Sequence, residues 1–160
     1  MYQRIVKEGH TLGMHSYSHQ YKEIYQSMDA FQADYERISN CLTAATGIKP
    51  LYYRFPGGST EVTEKLQMTD LDAYFNAQGA SYFDWNVIAA NNTTDDVSVN
   101  KMVDSVMNGV ALYDTSIVLM YDSVDRKMTA KSLDSILDYL LKNGYEILPI
   151  DENTIPIHHS

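Results

Sequence analysis

The stretch that decides the fold is residues 116–121, SIVLMY, a nearly continuous apolar run. Such a run is typical of a strand that is buried on both faces of a parallel sheet, because neither face meets water. A helical period precedes it at 97–112 (VSVNKMVDSVMNGVAL), and another follows at 130–144 (AKSLDSILDYLLKNG). The apolar run YEILPI at 145–150 then indicates a further strand. Helices and strands that alternate without hairpin turns predict parallel strands joined by crossover connections.

The same alternation continues toward the N-terminus. Strand-like runs occupy 11–16, 51–55 and 81–88, and helical periods occupy 27–47 and 60–78. The sequence therefore predicts an α/β fold of five parallel strands and four helices. We expect residues 1–160 to form a single domain, because 160 residues with 44% apolar content are enough for one buried core.

Composition excludes two classes of partner. Asp and Glu outnumber Lys and Arg by 21 to 12, for a net charge of −9, so we expect no nucleic-acid partner. The sequence has no apolar stretch long enough for a membrane span. The first ten residues, MYQRIVKEGH, are polar and amphipathic rather than the apolar core of a signal peptide, so the chain's own residues assign it no cellular location.

Unusual polar residues occur where the predicted strands end. In parallel α/β sheets the ligand site lies just beyond the carboxyl ends of the strands. The residues at those ends are His15 and His19, Arg54 with the Pro-Gly-Gly that follows, 88–92, and Tyr121 with Asp122. The sequence therefore predicts that a functional site is built from these segments.

Four segments, in this order and spacing, resemble the polysaccharide deacetylases, which are metal-dependent N-deacetylases of chitin oligomers and peptidoglycan. They are GHTLGMHSYSH, GIKPLYYRFPGGS, YFDWNV and SIVLMYDS, and the resemblance runs from about Ile5 to the end of the chain. His-Ser-x-x-His is a weak signal alone, and the Arg-x-Pro-Gly-Gly that follows makes it strong. The resemblance implies a distorted barrel of βα units.

The resemblance also implies roles for individual residues. His15 and His19 would bind a divalent metal ion, with zinc the first choice, together with one aspartate. The backbone N–H of Gly57 would face the oxyanion, within a substrate-facing segment that includes Phe55 and Pro56. Arg54 would orient the general base through an acidic partner. N-acetylglucosamine-containing glycans are the partner that this family implies, and its members imply a secreted or cell-surface parent.

The chain departs from the family pattern in three places. The Thr-Phe-Asp-Asp motif of the family's opening strand, which supplies the base and one metal ligand, has no counterpart, so we expect a domain that is incomplete at its N-terminus and lacks its first βα units. Tyr121 occupies the position of the histidine acid, and a phenol is a weaker acid than an imidazolium. Ile88 and Asn91 replace the two carboxylates of the family's Asp-x-x-Asp motif. Asp84-Trp85 resembles the family's Asp-Trp pair, but it lies upstream of the position where the motif is expected, so it receives no role.

Structural readings of the same residues stay open. His15 and His19 could be polar residues of a turn, Arg54 could be a surface cation, and Tyr121 could end a buried strand with its hydroxyl at the rim. With two imidazoles and no carboxylate, we expect any metal to bind weakly.

Two hypotheses about function follow. In the first, the chain is a deacetylase-like protein with little or no activity when isolated, and it keeps a weak metal or glycan site. In the second, it is an active metal-dependent carbohydrate deacetylase that a missing N-terminal segment or a partner chain completes. Because missing strands would leave an unpaired sheet edge, we also expect a homo-oligomer.

Overall fold

The apolar run at 116–121 forms a parallel strand, as predicted. The computed structural model describes residues 1–62, 65–90, 97–122 and 127–159. Within them the chain divides into two compact units, one formed by Met1–Asp84 with Pro149–Ser160 and the other by Trp85–Leu148. The expectation of a single domain stays a prediction.

The first unit contains helices α1 to α4 and strands β1 and β2. Their bounds are α1 Tyr2–Lys7, α2 Tyr21–Ile24, α3 Met28–Thr46, β1 Tyr52–Tyr53, a 3-10 helix Ser59–Glu61, α4 Met68–Gln78 and β2 Ser81–Tyr82. β1 pairs in parallel with β2, and Met14 pairs in parallel with Tyr53. The N–H of Asp84 donates to the carbonyl of Ile157 at 2.8 Å, so the C-terminal segment is hydrogen-bonded to the chain just after β2.

Helix α3 has the bounds that its sequence predicts. The Ser27 side chain accepts a hydrogen bond from the N–H of Ala30 at the N-terminus, and Gly47 ends the helix at a φ of 79°. Phe31 and Tyr35 face the core and are each 1% exposed. They belong to a cluster of aromatic rings with edge-to-face contacts, whose other buried members include Tyr53, Phe55, Phe75 and Tyr82.

The second unit contains strands β3 and β4 and helices α5 and α6. Their bounds are β3 Val87–Ile88, α5 Val99–Val110, β4 Val118–Leu119 and α6 Lys127–Lys142. β3 and β4 pair in parallel, with Val87 opposite Val118. Helix α5 packs closely on β3 at Gly109, where an added Cβ would lie only 2.6 Å from Cγ1 of Val87. No helix within the described ranges combines the length and apolar character needed to cross a bilayer.

The predicted α/β class with parallel strands is confirmed, and three of the predicted strands differ in detail. The run 11–16 forms an isolated parallel bridge, between Met14 and Tyr53, instead of a strand. The run 81–88 forms β2 and β3, which pair with different strands. The run 145–150 forms no strand, and Ile147 and Leu148 are 45% and 69% exposed. Apolar alternation shows only that a segment suits a sheet, whereas a strand also requires a neighbour with free backbone groups.

Candidate metal and oxyanion site

The HSYSH segment is a loop that brings its two histidine rings together. It follows Met14, which pairs with β1, and the ring centroids of His15 and His19 are 5.1 Å apart. Ser16 and His19 have positive φ angles of 74° and 54°. The Ser16 hydroxyl accepts a hydrogen bond from the His19 N–H at 2.9 Å. The spacing of four therefore places both rings on one side through a tight loop rather than through a helical turn.

The surroundings of His15 favour a neutral imidazole with one available nitrogen. Its Nδ1 lies 2.8 Å from the carbonyl oxygen of Arg54. Because a carbonyl only accepts, Nδ1 carries the proton and Nε2 keeps its lone pair. Burial lowers the pKa of His15, against the opposing effect of this hydrogen bond, and His19 and Arg54 lower it further. A metal-binding histidine characteristically has this arrangement, in which the second nitrogen is held by the backbone.

Asp84 is a buried carboxylate to which the sequence assigned no role. It is 0% exposed, and its oxygens accept the Ser59 N–H at 2.9 Å, the Ser59 hydroxyl at 2.5 Å and the His159 N–H at 2.8 Å. Arg54 lies close enough to interact electrostatically with it: burial lowers the pKa of Arg54, and the Asp84 carboxylate opposes that shift.

Arg54 is further held by Phe83, whose carbonyl accepts a hydrogen bond from its Nε at 3.2 Å. Asp84 is therefore an acidic residue that interacts with Arg54, and it is a candidate for the partner that the family pattern requires. The Asp84-Trp85 dipeptide was the sequence signal that could have found it. Asn91, where the sequence placed the lost carboxylate, lies outside the described residues.

The Arg-x-Pro-Gly segment contacts the histidine loop and also Tyr21, the first residue of α2. The Arg54 carbonyl contacts His15, and Gly57 lies beneath the ring of Tyr21, since a Cβ added at Gly57 would come within 3.0 Å of Tyr21 Cε2. Tyr21 in turn meets His19 edge to face, at 5.4 Å between ring centroids. Gly57 is exposed and has a φ of 82°, which favours glycine. Gly57 and His19 therefore both lie against the ring of Tyr21.

Phe55 and Pro56 anchor this segment in the core. Phe55 is 0% exposed within the aromatic core, and the carbonyl of Pro56 accepts a hydrogen bond from the Tyr25 hydroxyl at 2.8 Å. Both side chains are buried, so any contact that these residues make with a substrate would come from the backbone.

The two histidines at the C-terminus, His158 and His159, contact Tyr82 and Asp84 respectively. The ring of His158 stacks on Tyr82, with 3.9 Å between centroids and 12° between planes, and its Nε2 lies 3.2 Å from the Tyr82 carbonyl. His159 contributes the N–H that Asp84 accepts. The ring of His158 therefore packs on Tyr82, and the backbone N–H of His159 bonds to the buried carboxylate of Asp84.

Tyr121 and Ile88 belong to the second unit. Tyr121 follows β4 and is half-buried, while Ile88 lies in β3 opposite Leu119. Their predicted roles stay predictions.

The histidine pair fits a metal ion only in part. Two imidazole nitrogens, one of them oriented by a backbone carbonyl, are suitable donors for a divalent transition ion. In the part of the chain that the structure describes, no cluster of three or more His, Cys, Asp or Glu residues could surround such an ion. The described donors therefore supply two positions of a tetrahedral site.

Comparisons with known proteins identify the family of this chain. The sequence profile of the family Polysaccharide deacetylase matches residues 1–75. The catalytic domain of a peptidoglycan N-acetylglucosamine deacetylase from Eubacterium rectale ATCC 33656 superposes with a TM-score of 0.90 at 32% identity, covering 100% of this chain and 74% of that one. The chain belongs to the polysaccharide deacetylase family.

Two other relatives show how far the similarity extends. YheN of Bacillus subtilis (strain 168) is 24% identical over 97% of this chain, which spans only 54% of that protein. BA3943 of Bacillus anthracis, described as a CE4 family pseudoenzyme, superposes with a TM-score of 0.67 at 19% identity, over 91% of this chain and 46% of that one. A mutant of BA3943 is described as having restored enzymatic activity. The fold is therefore shared by proteins with and without activity.

Proposed function

We propose that this chain is a polysaccharide deacetylase-like protein whose ligands are N-acetylglucosamine polymers and whose isolated form has little or no deacetylase activity. The observation that supports this most directly is the histidine pair, which stands beside Arg54 and Gly57 without a third ligand among the described residues. The E. rectale neighbour, whose own description names peptidoglycan N-acetylglucosamine, supports the choice of ligand class.

His15 and His19 would hold a divalent ion, with zinc the first choice, and they would hold it weakly. When bound, such an ion supplies a water of lowered pKa and polarises the acetyl oxygen. The chain's own residues would then act around the acetyl group: the Gly57 N–H would stabilise the oxyanion, and Asp84 would keep Arg54 oriented.

Two proton-transfer roles lack a suitable group. The family motif that supplies the base has no counterpart in this sequence, and Tyr121 replaces the imidazolium that would protonate the leaving amine. Losing a general acid or base typically costs about two to four powers of ten in rate. Two such losses predict negligible turnover by the isolated chain.

The second candidate is an active deacetylase that another segment or chain completes. The electrostatic interaction between Arg54 and Asp84 favours it, because Asp84 would serve as the acidic partner that the sequence pattern placed at Asn91. Self-association through a sheet edge also stays a prediction.

Acetate release from N-acetylglucosamine oligomers tests the proposal, with zinc, cobalt and nickel supplied in turn. We expect no release above the buffer control from the wild-type chain. Turnover that disappears in His15→Ala would overturn the proposal and establish an active enzyme. Turnover that requires both Tyr121→His and an added opening segment would support the completed-enzyme candidate.

A further inference from the structure

Asp34 contacts every residue between the two histidines. It lies on α3 and is half-buried, and its Oδ2 accepts the Tyr17 N–H at 2.8 Å while its Oδ1 accepts the Ser18 N–H at 2.9 Å. The Ser16 and Ser18 side chains lie close enough to this carboxylate to favour its charged form. A carboxylate is an acceptor with about four lone-pair sites, so one side chain can satisfy this whole set of donors.

The loop needs such an anchor because its backbone is unfavourable. Ser16 and His19, at either side of the anchored residues, have left-handed φ angles of 74° and 54°. Residues with a Cβ rarely adopt this region, and they keep it only where the surroundings hold them there. Hydrogen bonds to a charged acceptor are the stronger kind, so Asp34 can offset this cost.

Helix α3 provides a rigid base for the anchor. Phe31 and Tyr35, on the same helix as Asp34, are each 1% exposed in the aromatic core. One turn further along, the Arg37 guanidinium lies 3.8 Å from the centroid of the Tyr17 ring and holds the same loop from the side.

We propose that Asp34 is a positioning residue, which holds residues 16–18 in the conformation that brings the imidazoles of His15 and His19 together. The inference rests on the proposed function, because the pair is useful only if it binds a metal ion. Asp34 acts through the loop and not as a ligand, since no third His, Cys, Asp or Glu among the described residues lies where it could share a metal ion with the histidine pair.

The test compares Asp34→Asn with Glu36→Gln, an exposed residue of the same helix that undergoes the same change of charge. Asparagine has the shape of aspartate but directs an NH2 donor at one of the two N–H donors. In the metal-free full-length chain, we expect the Tyr17 and Ser18 amides to exchange hydrogen at least about tenfold faster in Asp34→Asn, as the loss of a charged hydrogen bond implies. Amides of α3 should be unchanged, and Glu36→Gln should match the wild type.

Zinc affinity, measured by calorimetry on the same proteins, is the second readout. Losing a partner that orients a metal ligand typically weakens metal binding about 10- to 100-fold, so we expect that loss in Asp34→Asn alone. Unchanged exchange at Tyr17 and Ser18, faster exchange throughout α3, or an equal loss of zinc affinity in Glu36→Gln would overturn the proposal. A wild-type chain that binds no zinc would refute the metal site of the proposed function, while the exchange data would still decide the role of Asp34. If Asp34→Asn does not fold, Asp34→Ser removes the same acceptors without adding an amide donor.

Discussion

Replacing Asp84 by alanine is expected to destabilise the chain by about 3–5 kcal/mol, the usual cost of removing one partner from a buried charged pair. The carboxylate is 0% exposed and accepts two hydrogen bonds from Ser59 and one from the His159 N–H. Each such bond to a charged group contributes about 1.5–3 kcal/mol, and together they contribute less than their sum because water and neighbouring groups relax into the space. The alanine variant also leaves the half-buried Arg54 without its carboxylate.

Asp84→Asn separates shape from charge. It preserves the volume and one acceptor but directs an NH2 group at one of the donors, so we expect a smaller loss of about 1.5–3 kcal/mol. In the double variant Asp84→Ala with Arg54→Met, the uncompensated cation is gone. Its loss of stability should therefore be smaller than the sum of the two single losses.

Urea unfolding followed by circular dichroism and by the fluorescence of the single tryptophan measures these differences. Asp104→Ala, at an exposed position on α5, is the control and should change stability by no more than about 0.5 kcal/mol. If Asp84→Ala lost less than about 1 kcal/mol with an unchanged m-value, the pairing and hydrogen bonds described for Asp84 could not be energetically important.

Two further outcomes are expected. Gly57→Ala should destabilise the folded chain more than Gly144→Ala does. Both glycines have positive φ, but of the two only Gly57 would bring the new Cβ into a clash with Glu61. Urea midpoints that fall equally in the two variants would contradict this. The excess should be about 1–3 kcal/mol, the typical cost of overpacking. Burial raises the pKa of Tyr35 and of Tyr82 to about 12. The stability that these neutral phenols contribute is therefore fully present below pH 10.0, the ordinary tyrosine pKa, and is lost as the pH rises through about 12. Phenolate absorbance should therefore show a late class of tyrosines that titrates together with alkaline unfolding, and a single class for all thirteen would count against the buried aromatic core.

The sequence by itself determined the class of fold and the bounds of its clearest helix. The apolar run at 116–121 predicted a buried parallel strand, and β4 lies within it. Ser27 and Gly47 predicted the limits of α3, because a cap and a left-handed glycine act on the backbone within one turn. These signals are local, so they can be read without knowing the rest of the structure.

Tertiary structure decided which residues meet. Strand pairing divided 81–88 between two sheets and left 145–150 without a partner, because a ladder depends on the neighbouring strand as much as on the segment itself.

The support of the candidate site was decided in the same way. Asp84 reaches Arg54, and Asp34 reaches the HSYSH loop, across long separations in sequence. Charge and burial at such contacts come from chain segments that only the fold brings together. The motif therefore singled out the histidines and the arginine, and the fold brought the Asp34 carboxylate to the histidine loop and the Asp84 carboxylate to the arginine.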